Sequence, residues 1–153
     1  MKYCLDTSAL IEPWVRLYPP DIFPPLWKKL EDLVSDGSLR APVEVRRELA
    51  RQSDALYEWA CAAEAVFVEL DADQAVKAKE IVNAFPNLVK PNSTKSAADP
   101  FVIALAEVAK VPVVTYETRA KQKEAPKIPN VCDARKILVM TIVDVLRAEK
   151  FSL

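Results

Sequence analysis

The distribution of apolar and polar positions divides the chain into short alternating elements. Lys2 to Leu5 is a brief apolar run, too short for periodicity to decide between strand and helix. The Asp6-Thr7-Ser8 that follows favours a strand ending in a turn, because short polar side chains stabilise turns and helix starts. Ala9 to Tyr18 reads as a short helix interrupted by Pro13. Pro19-Pro20 and Pro24-Pro25 bracket a stiff connection, and Leu26, Trp27, Leu30, Leu33 and Val34 then recur at helical spacing up to Ser35. Asp36-Gly37 ends that helix. Leu39 to Ala41 is a short strand, and Pro42 opens a helix over Val43 to Arg51.

The second half repeats the rhythm. Asp54 starts a helix through Ala63, Val66 to Leu70 is a strand or extended connector, and Asp71 or Asp73 starts a helix through Ala84. Positions 85–96 read as a loop rich in Pro, Asn and Ser. Asp99-Pro100 opens a strong helix through Ala109, with Asp favoured as cap and Pro as first helical residue. Val111 to Thr115 is the clearest strand, Tyr116 to Pro129 a basic loop, Ile137 to Thr141 a last strand and Ile142 to Lys150 a closing helix. Strands alternating with helices, with an inner strand apolar throughout, predict a three-layer α/β/α domain around a mostly parallel sheet. The chain's 153 residues suit one such domain over 1–153, with no repeat or linker.

Composition narrows the chemistry. Histidine is absent, which removes Ser-His-Asp and Cys-His catalysis and His-ligated zinc. Gly37 is the only glycine, so a Gly-rich phosphate loop is excluded. Cys4, Cys61 and Cys132 are scattered and lack metal or redox spacing, and are expected to be buried, reduced residues. The opening MKYCLD lacks a signal-peptide pattern, and no run approaches the roughly 20 apolar residues of a membrane helix. A cytoplasmic protein without membrane contact is expected. The net charge of -1, from 21 basic and 22 acidic residues, lacks the basic surplus usual in nucleic-acid binders, although a carboxylate cluster would cancel a basic patch in the sum.

Carboxylates remain as the main tools. Ligands of an open parallel sheet sit at the carboxyl ends of its strands. Asp6 directly follows the first strand and Glu117 lies just beyond Val111–Thr115, so both should emerge at one edge. Clustered carboxylates need a cation or protons to coexist. Mg²⁺ or Mn²⁺ takes oxygen ligands, acidifies bound water and neutralises phosphodiester oxygens, a hydrolytic chemistry that needs no histidine. Each acid also has a plainer role. Asp6 and Asp99 would serve as helix caps, Glu48 would pair with Arg47 or Arg51, and Glu117 would lie beside Arg119 and Lys121 on a solvated loop.

Four segments resemble the motifs of PIN domains, in the family's order and over about the first four-fifths of the chain. Leu5-Asp6-Thr7-Ser8-Ala9-Leu10-Ile11 is similar to the opening motif, and Pro42-Val43-Glu44-Val45-Arg46-Arg47-Glu48-Leu49 to the second, which ends in Glu-Leu. Ala98-Asp99-Pro100-Phe101-Val102-Ile103-Ala104-Leu105-Ala106 resembles the third, and Val113-Val114-Thr115-Tyr116-Glu117 the fourth. The resemblance implies a Mg²⁺- or Mn²⁺-dependent endonuclease of single-stranded RNA, often the toxin of a VapBC-like pair with an antitoxin protein, and commonly a homodimer. Asp6, Glu48, Asp99 and Glu117 would be catalytic metal ligands, supported by Ser8 and Thr115.

The sequence departs from the pattern in two places. Glu117 stands where Asp is usual, and Glu44, one turn before Glu48 on the same helix face, competes with it. The Pro-rich insert after the first motif resembles that of a divergent prokaryotic subgroup of this family. Arg119, Lys121 and Lys123, with Lys127 in the same loop, are candidate phosphate contacts, and Asp133 a candidate further acid. Trp14, Trp27 and Trp59 are expected in the core or at an interface. Three other classes compete. A haloacid-dehalogenase phosphatase would want Asp at position 8, where Ser8 stands. A receiver-like metal-binding module or a non-catalytic PIN-like scaffold would gather the same acids without hydrolysing RNA.

Overall fold

The computed structural model describes residues 1–52, 54–93 and 96–153. Its strands form one five-stranded, all-parallel sheet in the order β3-β2-β1-β4-β5, flanked by helices in an α/β/α arrangement. The strands are β1 (Tyr3–Leu5), β2 (Leu39–Pro42), β3 (Phe67–Val68), β4 (Val113–Val114) and β5 (Val139–Met140). Cys4 pairs with Arg40 on one side and Val113 on the other, so β1 is the middle of the sheet. All three of its residues are buried, as expected for a strand covered on both faces.

The helices are α1 (Ser8–Glu12), α2 (Pro24–Ser35), α3 (Val43–Leu49), α4 (Asp54–Ala62), α5 (Ala72–Ala84), α6 (Asp99–Ala109), α7 (Ile128–Ala134) and α8 (Ile142–Ala148). The chain winds β1-β2-β3 in one direction, then returns to add β4 and β5 beyond β1. Right-handed crossovers are the strong rule, so the two runs of connections cover opposite faces. The direction of winding reverses between β1 and β4, which opens a crevice at their carboxyl ends. Helix α6 lies across β1, β2 and β4 and against α5. It is buried along nearly its whole length, from Asp99 to Ala106 except Phe101, as befits the most apolar helix in the chain.

The expected elements form, with four differences. Pro13 does not interrupt the first helix. The chain passes into one π turn over Pro13–Leu17, closed by Tyr18 N–H donating to the Pro13 carbonyl at 2.8 Å, a wider turn that absorbs the missing proline N–H. Second, the expected strands Val111–Thr115 and Ile137–Thr141 pair over only two residues each, and the strand or connector over Val66–Leu70 pairs only at Phe67–Val68. Third, part of the basic loop and the residues after it form α7, with Pro129 in its first turn. Finally, Cys61 is half-buried, whereas Cys4 and Cys132 are buried, and all three are free thiols. Of the loop expected over 85–96, positions 94 and 95 lie outside the described residues.

The Pro-rich connection after the π turn is anchored by aromatic packing. Trp14 meets Trp27 edge-on at 4.7 Å, and Trp27 meets Trp59 at 5.1 Å. Two of the indole N–H groups have acceptors: buried Trp27 donates to the Tyr18 carbonyl at 2.7 Å, and half-buried Trp59 to Glu31 at 3.0 Å. The three tryptophans thus tie the first helix, α2 and α4 together, the packing role expected for them.

Candidate functional site

The acids come from four separate elements, and the parallel topology brings them to one edge. Asp6 follows β1. Glu48 lies in α3, entered from the carboxyl end of β2. A helix that returns the chain to the next parallel strand begins near the carboxyl edge of the sheet, which places Asp99 at the start of α6 beside them. Glu117 follows β4 after Thr115 and Tyr116. All four line one cleft of about 240 Å³, together with Thr7, Ser8, Ile11, Glu12 and Gln52.

Asp6 is fixed by the residues immediately around it. It is only 3% exposed. Its Oδ2 accepts from Ser8 Oγ at 2.6 Å, from Thr115 Oγ1 at 2.9 Å and from Ser8 N–H at 3.3 Å. Each hydroxyl carries one proton. With both protons on Asp6, the Ser8 oxygen accepts from Tyr116 N–H at 2.9 Å and the Thr115 oxygen from Glu117 N–H at 3.1 Å. The β1 and β4 ends are thereby clamped to one carboxylate oxygen. Thr7 N–H is a further donor to the carboxylate. The cap position of α1 belongs to Thr7, so Asp6 is not its cap. Burial pushes the Asp6 carboxyl up, against the hydrogen bonds from Ser8 and Thr115.

Glu48 is equally well held. Its Oε2 accepts from Thr7 Oγ1, and its Oε1 from Ala98 N–H at 3.0 Å. Of its two expected partners, Arg47 faces Glu44 at 4.0 Å, and Arg51 is near enough to Glu48 to lower its carboxyl. Burial raises the Glu48 carboxyl, opposed by the Thr7 and Ala98 donors. Glu44 does not line the cleft, and its buried Oε2 lacks a partner among the described residues. Of the two competitors on α3, the fold brings Glu48 to the other acids.

Asp99 differs from both. It is 4% exposed, yet its side chain takes no hydrogen bond among the described residues. The cap position belongs to Ala98, and no side-chain capping bond forms. Burial, then the negative charges of Asp6, Glu117 and Glu48, push its carboxyl up to about 10. Glu117 is half-buried, and its Oε2 accepts from Ile128 N–H, the first of α7, at 3.1 Å. Burial and the Asp6 charge raise it, while Ile128 and Lys127 lower it.

The surrounding candidates divide. Ser8 and Thr115 hold Asp6 as expected. Arg119 makes a two-pronged ion pair with Asp133 at 2.6 and 2.8 Å, so neither side chain joins the cleft. Lys121 and Lys123 are exposed and line neither this cleft nor its neighbour. Thr7 and the α7 start were missed from sequence. Thr7 stands inside the Asp-Thr-Ser turn, and its pattern carries no sign that it reaches Glu48.

Over residues 3–153 the sequence matches the family described as Domain of unknown function (DUF4411). The chain belongs to that family. No curated protein matches it.

In this DUF4411 chain, the donor set facing the cleft is made of hard carboxylate oxygens, which suits Mg²⁺ or Mn²⁺ and not a soft metal. One observation fits a cation there: the buried Asp99 carboxylate, which takes no hydrogen bond among the described residues. Among the described residues, no three acidic or cysteine side chains form a closed ligand group. Asp6, Glu48 and Glu117 each turn an oxygen to a hydroxyl or N–H donor. None of the helices among the described residues is long and apolar enough to cross a membrane.

Proposed function

We propose that the chain is a Mg²⁺- or Mn²⁺-dependent endoribonuclease of single-stranded RNA, a divergent member of the PIN-like nucleases that its four motifs resemble. The observation that carries this is Asp99: a buried carboxylate with no hydrogen-bond donor, facing a cleft shared with three more carboxylates. Such a group is costly unless it is protonated or meets a cation. Asp6, Asp99 and Glu48 would hold the ion, with Glu117 as the more peripheral fourth acid. A bound divalent ion supplies a water acidic enough to attack and neutralises charge on the phosphodiester. Ser8 and Thr115 fix the orientation of the Asp6 carboxylate. Thr7 and Ala98 N–H do the same for Glu48, and Ile128 N–H restrains the longer arm of Glu117. The role of a toxin neutralised by an antitoxin protein, and a homodimeric state, belong to the same proposal and rest on the resemblance alone.

A non-catalytic metal-binding or interaction module of the same fold is the second reading, favoured by the lack of a closed ligand group among the described residues. Cleavage separates the two. Single-stranded RNA with Mn²⁺ or Mg²⁺ should be cut by wild type, and Asp6→Asn should slow it more than about 100-fold, beyond the usual cost of losing an outer-shell partner. Asn keeps the shape and the hydroxyl contacts of Ser8 and Thr115 but removes the charge. Equal cleavage by both proteins would sink the nuclease reading. In cells, the toxin role requires growth arrest on expression that Asp6→Asn relieves.

A further inference from the structure

Beyond Asp99 and Glu117, the acidic cleft adjoins a second cavity of about 470 Å³. The two share those acids, so they form one path across the carboxyl edge of the sheet. The second cavity contains the cations that the first lacks. Lys90 and Lys127 line it, as do the hydroxyl-bearing Ser96 and the ring of Pro126. Both lysines are exposed and neither forms an ion pair among the described residues. Lys127 is near enough to Glu117 to lower its carboxyl. Its backbone is fixed by Asn130, whose Oδ1 accepts from Lys127 N–H at 3.0 Å and Ala120 N–H at 2.9 Å. Glu124, the further acid of this cavity, is turned to its own chain and accepts from Lys121 N–H at 3.1 Å.

The opposite end of the acidic cleft has the reverse character. Ile11, Glu12 and Gln52 line it, and no lysine or arginine does among the described residues. Glu12 pairs with Arg16, one turn along the helix surface at 3.5 Å. A phosphate leaving the acids in that direction meets a carboxylate, an amide and an isoleucine in the lining, with Arg51 outside it but near enough to Glu48 to lower its carboxyl. A phosphate leaving in the other direction meets two unpaired ammonium groups. Arg119 is spent on Asp133, and Lys121 and Lys123 lie outside both cavities, so the cations expected from the basic loop are not the ones the fold presents.

We propose that Lys90 and Lys127 seat the phosphates on one side of the scissile bond, so the RNA strand is held asymmetrically, by two lining lysines on one side and by no lining cation on the other. This inference rests on the nuclease reading and specifies how that site takes its substrate. Lysine holds a phosphate as a point charge without reading the base, so the seat fixes the strand's position and not its sequence.

The test is binding of a short single-stranded oligoribonucleotide, in EDTA to block hydrolysis, over a series of salt concentrations. Every phosphate deprived of its lysine should reduce the slope of log affinity against log salt by about 0.7, so Lys90→Ala with Lys127→Ala should flatten it by about 1.4. Lys121→Ala with Lys123→Ala should leave the slope in place. Neutral methylphosphonate linkages should weaken binding on one side of the cleaved bond only, and that side should become insensitive in the Lys90/Lys127 variant. An unchanged slope, or equal sensitivity on both sides, with wild type still cutting RNA overturns the one-sided seat and leaves the nuclease reading standing. Wild type that neither binds nor cuts RNA overturns both.

Discussion

At the scale of single residues, Asp99 and Asp6 show two ways to bury a carboxylate. Asp6 receives three donors on one oxygen, and Asp99 receives none. The carboxyl of Asp99 ordinarily titrates near 3.8, and in the folded chain its burial and acidic neighbours hold it up to about 10. The folded state therefore keeps a proton that the unfolded chain releases. A folded pKa raised in this way contributes stability that is present below pH 3.8 and is lost as pH rises through about 10. The other three cleft acids shift in the same direction. Between about pH 6 and 9, where surface carboxylates no longer titrate, the unfolding free energy of the metal-free protein should fall as pH rises. Asp99→Asn should be more stable at the alkaline end and show a flatter profile. Denaturant unfolding at several pH values measures both, and parallel profiles would mean that Asp99 is not held protonated.

At the scale of elements, the helices were legible from apolar periodicity and several of their ends were not. A chain with one glycine cannot end its helices in the usual way. Helices α6, α7 and α8 stop at lysines instead, each in the left-handed conformation: Lys110 at φ 56°, Lys136 at 58° and Lys150 at 53°. In each case the next residue's N–H reaches back to a helix carbonyl: Val111 to Ala106 at 3.0 Å, Ile137 to Cys132 at 2.9 Å and Phe151 to Leu146 at 2.9 Å. Those three apolar residues pack against the core. This is the Schellman arrangement with lysine in the position glycine favours. The sequence signal is a lysine followed by one apolar residue at the end of a helical run, and it marks the end of α7 that a reading based on Gly and Pro passes over. Left-handed backbone costs a side-chain-bearing residue about 1–2 kcal/mol, partly offset by the greater entropy glycine loses. Lys136→Gly should therefore be about 1 kcal/mol more stable than Lys136→Ala, a comparison in which both variants lose the lysine charge near the helix C-terminus. Equal unfolding midpoints for the two would show that the cap is not strained. The short strands were visible as apolar runs, but their pairing depends on neighbours distant in sequence, so their ends were not.

At the scale of the whole molecule, the sequence places the acids in four motifs and the winding of the sheet places them together. The near-zero net charge conceals an unequal distribution: carboxylates collected at the crevice between β1 and β4, lysines along one flank of it. A structure that gathers buried acids without a compensating charge is least stable where those acids must ionise, so an ion that binds there should stabilise the folded state as a whole. Binding to the folded state alone at about 100 times Kd adds about 2.7 kcal/mol. For a chain of this size that corresponds to a rise in Tm of about 5–10 °C. The ion also competes with protons for the same oxygens. At neutral pH Asp99 carries its proton, so Mn²⁺ added to weakly buffered protein should release about one proton per ion bound. Asp99→Asn should remove most of that release, and Asp6→Asn should weaken the ion's grip and shrink the Tm shift at a fixed Mn²⁺ concentration. Lys121→Ala, outside the cleft, should change neither. Thermal melts with and without Mn²⁺, together with a pH-stat titration, measure the two effects independently. If Mn²⁺ moves neither the melt nor the pH of the wild-type protein, the four carboxylates are a protonated structural cluster and the metal has no place in this cleft.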